Sequence, residues 1–261
     1  MLDPGEAREV AGRFGVALDQ VRRDHLVSHM LAALSRSLAD RILFFGGTAL
    51  ARTLLPNGRL SEDVDLLALG ERRDVVEEVV HALTVGVRRT HGELTWSPSL
   101  VGIRDTDTAV ATTQDGLSVR IQLLDPVGYS SWPYLRSDLE QRFSDAPPAC
   151  LNVPTAEAFA AWKTAAWLDR GAARDLYDLH GLALAGVIGP EAGSLFVRLG
   201  PTATLPQKWM FAKAPTEAEW KAQLGGQTRL TLEPQEALET VREAWGAAAG
   251  WGDGGSSTSP Q

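Results

Sequence analysis

The clearest hydrophobic pattern in the chain is a run of four apolar residues, Ile42–Phe45, that stops at a Gly-Gly pair. Residues 48–55 after the glycines carry a helix-compatible pattern, and a Pro-Asn-Gly turn at 56–58 separates them from a second apolar run at 64–69. Short apolar runs bounded by turn residues are typical of buried strands. The pattern therefore predicts two strands connected by a glycine turn and a short helix.

Helical periodicity flanks this pair of strands on both sides. Residues 4–40 have apolar positions at helical spacing, including Leu26, Met30 and Leu34. The proline-rich segment 130–154 has the composition of an irregular connection. We therefore predict an α/β fold whose sheet spans about residues 41–125. Further helices are predicted over residues 71–83, 155–168, 174–184 and 233–245, and shorter strands over residues 93–96, 100–104, 109–113 and 117–124.

Composition divides the chain into three parts. Residues 1–150 are predicted to hold N-terminal helices plus the sheet, residues 151–249 a mostly helical C-terminal lobe, and residues 250–261, rich in Gly and Ser, a disordered tail. A chain of 261 residues is long enough for two lobes around a sizeable core. An active site is expected in the cleft between the lobes.

Charge and cysteine content narrow the class of protein. The formal net charge is −8 and the sequence pI is near 5.2, which excludes a non-specific binder of polyanions. The chain has one cysteine, Cys150, so an intrachain disulfide is excluded, as expected in a reducing compartment. The sequence contains neither an apolar signal core at its start nor a run of membrane-spanning length. These features predict a cytoplasmic protein without membrane contact.

Candidate chemistry lies at neighbouring ends of the two predicted strands. Asp63 and Asp65 are two residues apart on a strand, so their carboxylates point to the same face, about 7 Å apart along the chain. Two such carboxylates suit a hard divalent cation such as Mg²⁺ or Mn²⁺. Gly46, Gly47 and Thr48 start a helix, where free backbone N–H groups suit a phosphate. The pattern predicts a site for metal-nucleotide chemistry.

A second charged block lies in the C-terminal half. Lys163 is a point cation suited to triphosphate oxygens, and Arg59 adds positive charge near the first block. Asp175 and Asp178 are three residues apart on a predicted helix and share one face. One of these carboxylates is expected to act as a general base, or to hold the lysine and the metal in place.

Both blocks resemble one enzyme family. The strings GGTAL and RLSEDVDL, with the downstream K…R…RDLYDL pattern, resemble the AbiEii-type (MenT-like) toxins of type IV toxin–antitoxin systems, within the polymerase-beta nucleotidyltransferase superfamily. The resemblance implies a minimal nucleotidyltransferase mixed sheet with N-terminal helices and a mostly helical C-terminal lobe. It also implies transfer of a nucleoside monophosphate from a Mg-NTP to the 3′ end of tRNA, which blocks translation, and a cognate antitoxin.

One departure from the family pattern leaves alternatives open. Many polymerase-beta-like enzymes carry a third acidic residue on a later strand, where this chain has Arg120 or Gln122. Asp125, Asp175 or Asp178 is then the candidate for a third carboxylate. The alternatives are nucleotide transfer to a small molecule or a protein side chain, and a nucleotide-sensing module without turnover.

Ser61 is the candidate regulatory residue. It precedes Asp63 by two residues, so its hydroxyl is expected to line the nucleotide pocket. A phosphate there would add about −1.5 to −2 charges where the NTP phosphates must bind. We hypothesise that the antitoxin, or another kinase, silences the protein by phosphorylating Ser61. The alternative is a strand-entry residue or a simple nucleotide contact.

His25 and His29 are the remaining candidate ligands. They lie four residues apart on a predicted helix, which places both rings on one face. Zinc sites need further ligands, and none lies nearby in the sequence. The sequence therefore predicts no zinc site at this pair.

Overall fold

The computed structural model describes residues 1–127 and 131–251. The helices are α1 (Pro4–Phe14), α2 (Leu18–Leu38), α3 (Gly46–Ala51), α4 (Val76–His91), α5 (Ala156–Arg170), α6 (Ala173–Leu184), α7 (Pro190–Leu199), α8 (Glu217–Leu224) and α9 (Pro234–Ala249). The strands are β1 (Ile42–Phe45), β2 (Asp63–Ala68), β3 (Thr95–Trp96), β4 (Ala109–Thr112), β5 (Ser118–Leu124), β6 (Tyr134–Leu139) and β7 (Ala149–Pro154).

The seven strands form one mixed sheet in the order β3-β4-β5-β2-β1-β7-β6. β2 pairs antiparallel with β1 and parallel with β5, and β1 pairs parallel with β7. β2 is the central strand and β1 is one of its neighbours, and the buried residues of both strands explain their apolar runs. The predicted α/β class, with a mixed sheet, N-terminal helices and a mostly helical C-terminal lobe, is confirmed.

The segment 130–154 differs from its prediction. Its described part forms an antiparallel hairpin of β6 and β7 that extends the sheet beyond β1, so the predicted irregular connection was wrong. β6 is an edge strand with mostly exposed side chains and therefore lacks an apolar pattern. The predicted domain boundary at residue 150 falls inside β7. The predicted strand at 100–104 is instead a 3-10 turn at Leu100–Gly102.

Helices cover the sheet and build the C-terminal lobe. The predicted helix at 4–40 is two helices, because Gly15 ends α1 in a left-handed conformation with φ 67°. Thr155 caps α5 through its side chain, as the sequence indicated. The helices α7 and α8 had no clear sequence signal. No helix within the described ranges is long and apolar enough to cross a membrane.

The end of α9 includes part of the predicted tail. Gly250 caps the helix with φ 65°, and the indole N–H of Trp251 donates to the carbonyl of Pro206 at 2.9 Å. These two residues therefore belong to the folded lobe. Residues 252–261, the rest of the predicted tail, lie outside the described residues.

Candidate active site

The turn between β1 and α3 approaches β2 closely because it lacks side chains. Gly46 has φ 79°, and a Cβ there would overlap the carboxylate of Asp65. A Cβ on Gly47 would overlap the guanidinium of Arg59. Only glycine adopts positive φ at little cost and also leaves this space free. The Gly-Gly pair therefore brings backbone to the carboxylate.

We expect Gly46→Ala to lower the free energy of unfolding by more than the roughly 1 kcal/mol of strain that a positive φ costs alanine. The excess reflects the displaced Asp65 carboxylate. The matched control is Gly116→Ala, since Gly116 has φ 86° and no neighbour within 4 Å of its added Cβ. Urea unfolding of both variants measures the difference. Equal losses of unfolding free energy would show that the close contact of position 46 with Asp65 does not affect stability.

Asp63 and Asp65 lie on the same face of β2. Arg120 donates to both oxygens of Asp63 at 2.9 and 3.1 Å, and Arg174 lies 3.8 Å from Oδ2. Burial, together with the nearby Asp63 carboxylate, raises the pKa of Asp65 to about 6. These two crowded, partly buried carboxylates form an oxygen donor set that a divalent cation would neutralise. The donor set thus fits a hard cation such as Mg²⁺.

Lys163 on α5 forms one wall of a cleft whose other wall is the Gly-Gly turn and Asp65. Its Nζ lies 3.1 Å from Asp175 Oδ1 and 2.7 Å from Asp178 Oδ2. Arg170 donates to both Asp175 oxygens, at 2.6 and 2.9 Å, and Arg59 donates to both Asp178 oxygens, at 2.9 and 2.8 Å. The result is a network of two carboxylates and three cations, buried except for the partly exposed Arg170.

This network assigns Asp175 and Asp178 a positioning role. Burial would raise the pKa of Asp175, but Lys163 and Arg170 outweigh it and bring the pKa to about 2. The pKa of Asp178 is also lowered, because Arg59 and Lys163 outweigh its burial. A carboxylate with a low pKa is a weak general base. Of the two predicted roles, general base or support for the lysine, the geometry favours support: Asp175 and Asp178 hold Lys163 in place.

Between these walls lies a cleft with an empty volume of about 590 Å³. The ring of Trp162 stacks on Phe45 with centroids 4.5 Å apart and an interplanar angle of 6°. One wall is thus acidic, the other basic, and part of the lining is aromatic. The cleft is lined by Phe45, Gly46, Gly47, Asp65, Gln122, Phe159, Trp162, Lys163, Ala166 and Arg170.

Two predicted nucleotide contacts are turned inward. The Thr48 hydroxyl donates to the backbone carbonyl of Asp63, and the residue is 1% exposed. Ser61 is 7% exposed, and its Oγ would lie 3.1 Å from a Cβ on Gly47. The side chains of Thr48 and Ser61 therefore lie beneath the turn, while Gly46 and Gly47 line the cleft.

The structure does not bring Asp125 to the carboxylate pair. In the parallel register of β2 and β5, Asp63 lies opposite Arg120 and Asp65 opposite Gln122. Asp125 follows β5 at its other end, where it accepts from the backbone N–H groups of Arg72 and Val127. Arg120 and Gln122 of β5 thus lie beside the carboxylate pair, where the superfamily pattern has an acid.

Sequence reasoning missed several polar contacts of the site. The Gln227 side chain accepts from Arg59 at 2.6 Å and donates to Glu62 at 3.0 Å. A single glutamine in a segment without a motif gave no signal. Arg170 and Arg174 had one, since both belong to the charged block around Asp175. In the structure Arg170 pairs with Asp175, and Arg174 lies 3.8 Å from Asp63.

Comparisons with solved structures show which known proteins share this fold. A search of curated proteins found no match. Among solved structures, the nucleotidyltransferase toxin MenT4 of Mycobacterium tuberculosis H37Rv superposes with a TM-score of 0.68 at 23% identity, covering 91% of this chain and 86% of that chain. A protein of H. pylori assigned as a nucleotidyltransferase superposes with a TM-score of 0.53 at 14% identity, covering 90% of this chain and 97% of that chain.

These two structures share the fold with this chain, and a family model identifies the family. The model, described as nucleotidyl transferase AbiEii toxin of a type IV toxin–antitoxin system, matches residues 29–250. That range contains the Gly-Gly turn, the carboxylate pair of β2 and the Lys163 network. Since the match spans most of the sequence, the chain belongs to the AbiEii nucleotidyltransferase toxins of type IV toxin–antitoxin systems.

Proposed function

We propose that this toxin transfers a nucleoside monophosphate from a Mg-NTP to the 3′ end of tRNA and thereby blocks translation. The observation that carries the proposal is the cleft lined by Asp65, Lys163 and the Gly-Gly turn, with Asp63 on the same face of β2 as Asp65. The acceptor hydroxyl releases its proton as its oxygen bonds to the α-phosphorus. The bond from the α-phosphorus to the oxygen that bridges it to the β-phosphate breaks, and pyrophosphate leaves.

Each group of the cleft has a defined task in this reaction. A magnesium ion held by Asp63 and Asp65 would supply positive charge to the triphosphate and acidify the acceptor hydroxyl. Gly46 and Gly47 let the phosphates approach backbone N–H groups. Lys163, positioned by its two buried carboxylates, adds positive charge from the opposite wall. Arg120 pairs with Asp63 in this structure. If a cation took the place of Arg120 at Asp63, the guanidinium would be free to contact phosphates.

The charge around the cleft supports a polyanionic acceptor despite the acidic chain. Arg120 and Arg170 have side chains that are each 57% exposed, and that of Arg174 is 33% exposed. These three arginines surround the carboxylate pair, so a local basic rim faces an incoming phosphate backbone. An acceptor that is a small molecule or a protein side chain is the second candidate, because Gln122 at the third acidic position leaves the acceptor base unassigned.

Labelled NTPs test the proposal. Each α-labelled NTP is incubated with the protein, Mg²⁺ and total tRNA, and the products are separated into RNA, protein and small molecules. We expect label at the tRNA 3′ end with the wild type, release of pyrophosphate, and none with Asp63→Ala. Label in protein or a small molecule would reassign the acceptor, and no label in any fraction would favour the nucleotide-sensing alternative.

For Lys163→Ala we expect transfer to slow by about 10²–10³-fold, since one preorganised charge at the reacting phosphates is removed. Lys163→Arg is not expected to rescue transfer, because a planar guanidinium does not fit between the two carboxylates as a compact ammonium does. Single-turnover rates per folded molecule provide the measurement. Unchanged transfer in Lys163→Ala would remove the lysine from the reaction.

We further propose that the antitoxin, or another kinase, regulates the enzyme at Ser61. A phosphate on this hydroxyl would lie against Gly47 and compete with the NTP phosphates for the same groups. Because Ser61 is buried, a kinase must act on an opened turn. Co-expression with the neighbouring gene followed by intact mass analysis is expected to reveal one phosphate at Ser61. An unmodified Ser61, or full activity of Ser61→Asp, would contradict this regulation.

A further inference from the structure

A cluster of histidines lies apart from the residues that line the cleft. His25 and His29 are neighbours on α2 and are 3% and 5% exposed. Asp145, in the loop between β6 and β7, meets them although it is 120 residues from His25 in the chain. The sequence predicted no zinc site here, because no third ligand lies near the two histidines in the chain. The fold brings Asp145 to them as a third ligand.

The three facing atoms form a triangle of the size of a metal site. The distance is 3.3 Å from His25 Nε2 to His29 Nε2, 2.9 Å from His25 Nε2 to Asp145 Oδ1, and 3.7 Å from His29 Nε2 to Asp145 Oδ1. Ligands about 2.0–2.1 Å from a tetrahedral zinc ion lie about 3.3–3.4 Å apart. The three observed distances, from 2.9 to 3.7 Å, are centred on this separation. Two imidazoles with one carboxylate are also a common zinc donor set.

Hydrogen bonds behind the triangle set the proton positions. The Thr90 hydroxyl donates to the Val87 carbonyl, so it accepts from Nδ1–H of His91 at 2.9 Å. Nε2 of His91 then accepts a hydrogen bond from Nδ1–H of His25 at 3.0 Å.

This arrangement leaves Nε2 of His25 directed at Oδ1 of Asp145. Nε2 of His29 lies 3.3 Å from the same His25 nitrogen, so three ligand atoms from α2 and from the loop between β6 and β7 converge on one point. Polar atoms that are removed from water need partners, and a metal ion is a partner that all three atoms can share.

We propose that His25 Nε2, His29 Nε2 and Asp145 Oδ1 bind one zinc ion and that His91 positions the His25 ring. A hydrogen bond to the second ring nitrogen of a metal-bound histidine fixes its tautomer and orientation. The ion would attach α2 to the loop between β6 and β7 and so stabilise the fold. Three protein ligands would leave the fourth position of a tetrahedral ion to water.

Zinc titration of the full-length chain tests the site. The protein needs its own amino terminus without a tag, because the Met1 ammonium contacts Asp145 Oδ2 at 2.7 Å and a histidine tag would bind zinc. After treatment with a chelator and dialysis, zinc is titrated against a chromophoric competitor. The wild type is expected to bind one equivalent and to melt at a higher temperature with zinc than without.

The variants distinguish ligands from the positioning residue. His29→Gln and Asp145→Asn each lose a ligand and are expected to bind zinc at least about 100-fold more weakly, while His91→Phe weakens binding about 10–100-fold. The control is His81→Gln, since His81 is an exposed histidine on the same helix as His91 and should bind like the wild type.

Two results would overturn the proposal. One is a wild type that binds no zinc equivalent and shows no change in melting temperature, which would mean that a proton holds the cluster together. The other is wild-type zinc affinity in Asp145→Asn, which keeps the size of a partly exposed side chain and so tests the ligand even where His29→Gln does not fold. Visible absorption of the Co²⁺-loaded wild type, typical of tetrahedral coordination, would support the site.

Discussion

Asp65→Asn is expected to slow nucleotidyl transfer by at least about 10²–10³-fold, because it removes a metal-binding charge from the reacting centre. The same substitution is expected to stabilise the metal-free protein at neutral pH. Burial and Asp63 raise the pKa of Asp65 to about 6, so its ionised form is disfavoured in the folded chain. Asparagine has a similar shape without that charge. Activity and stability should therefore change in opposite directions.

The pH dependence follows from the direction of this pKa shift. A carboxyl group with a pKa near 3.8 in the unfolded chain and about 6 in the folded chain holds its proton more tightly when folded. The stability of the wild type should therefore fall as pH rises from about 4 to about 6 and then level off. The full loss is about 3 kcal/mol at most, at about 1.4 kcal/mol for each unit of pKa shift.

Urea unfolding without divalent cations, at pH values from 4 to 8, measures this effect. The loss with rising pH is expected in the wild type and should be smaller in Asp65→Asn. Added Mg²⁺ should raise the melting temperature of the wild type and leave Asp65→Asn nearly unchanged. The control is Asp63→Asn, because the Asp63 carboxylate of the wild type is ion-paired with Arg120. An Asp65→Asn protein that is less stable than the wild type at pH 8 would contradict the origin of the shift.

Asp178→Ala is expected to lower the free energy of unfolding by about 3–5 kcal/mol, because it leaves buried charges without their partner. Asp178 accepts from the guanidinium of Arg59 and lies 2.7 Å from Nζ of Lys163. Alanine leaves both cations, Arg59 and Lys163, without this carboxylate in a buried site. Transfer should also fall, since Lys163 then has only Asp175 to hold it.

An exposed pair of the same residue types is the matched control. Asp107 lies 3.4 Å from Arg104, with side chains 44% and 82% exposed, so Asp107→Ala should change stability by about 0–1 kcal/mol. Chemical unfolding of both variants gives the comparison. A loss of similar size in the two variants would show that the buried network adds no more than a surface ion pair.

The local part of the site could be predicted from the sequence. An apolar strand, a Gly-Gly turn and two carboxylates separated by one residue occupy about twenty consecutive positions, and strand alternation alone places Asp63 and Asp65 on one face. The charged block near Asp175 was recognisable for the same reason, because helical spacing brings its members together.

The rest depends on contacts between distant parts of the chain. β7 pairs in parallel with β1 through Leu43 and Asn152, and that pairing follows from the packed fold rather than from the strand itself. The contact of Gln227 with Arg59 and the approach of Asp145 to His25 span more than one hundred residues each. Periodicity and spacing describe neighbours along the chain, so they carried no information about these contacts.

The central claim is that the Asp63–Asp65 pair and the Gly-Gly turn bind a metal-nucleotide opposite Lys163. A crystal structure with Mg²⁺ and a non-hydrolysable NTP tests it most directly. We expect the metal on both carboxylates of β2, Arg120 released from Asp63, and the triphosphate between Gly47 and Lys163. A nucleotide bound outside this cleft, or a triphosphate whose metal contacts neither Asp63 nor Asp65, would contradict the account.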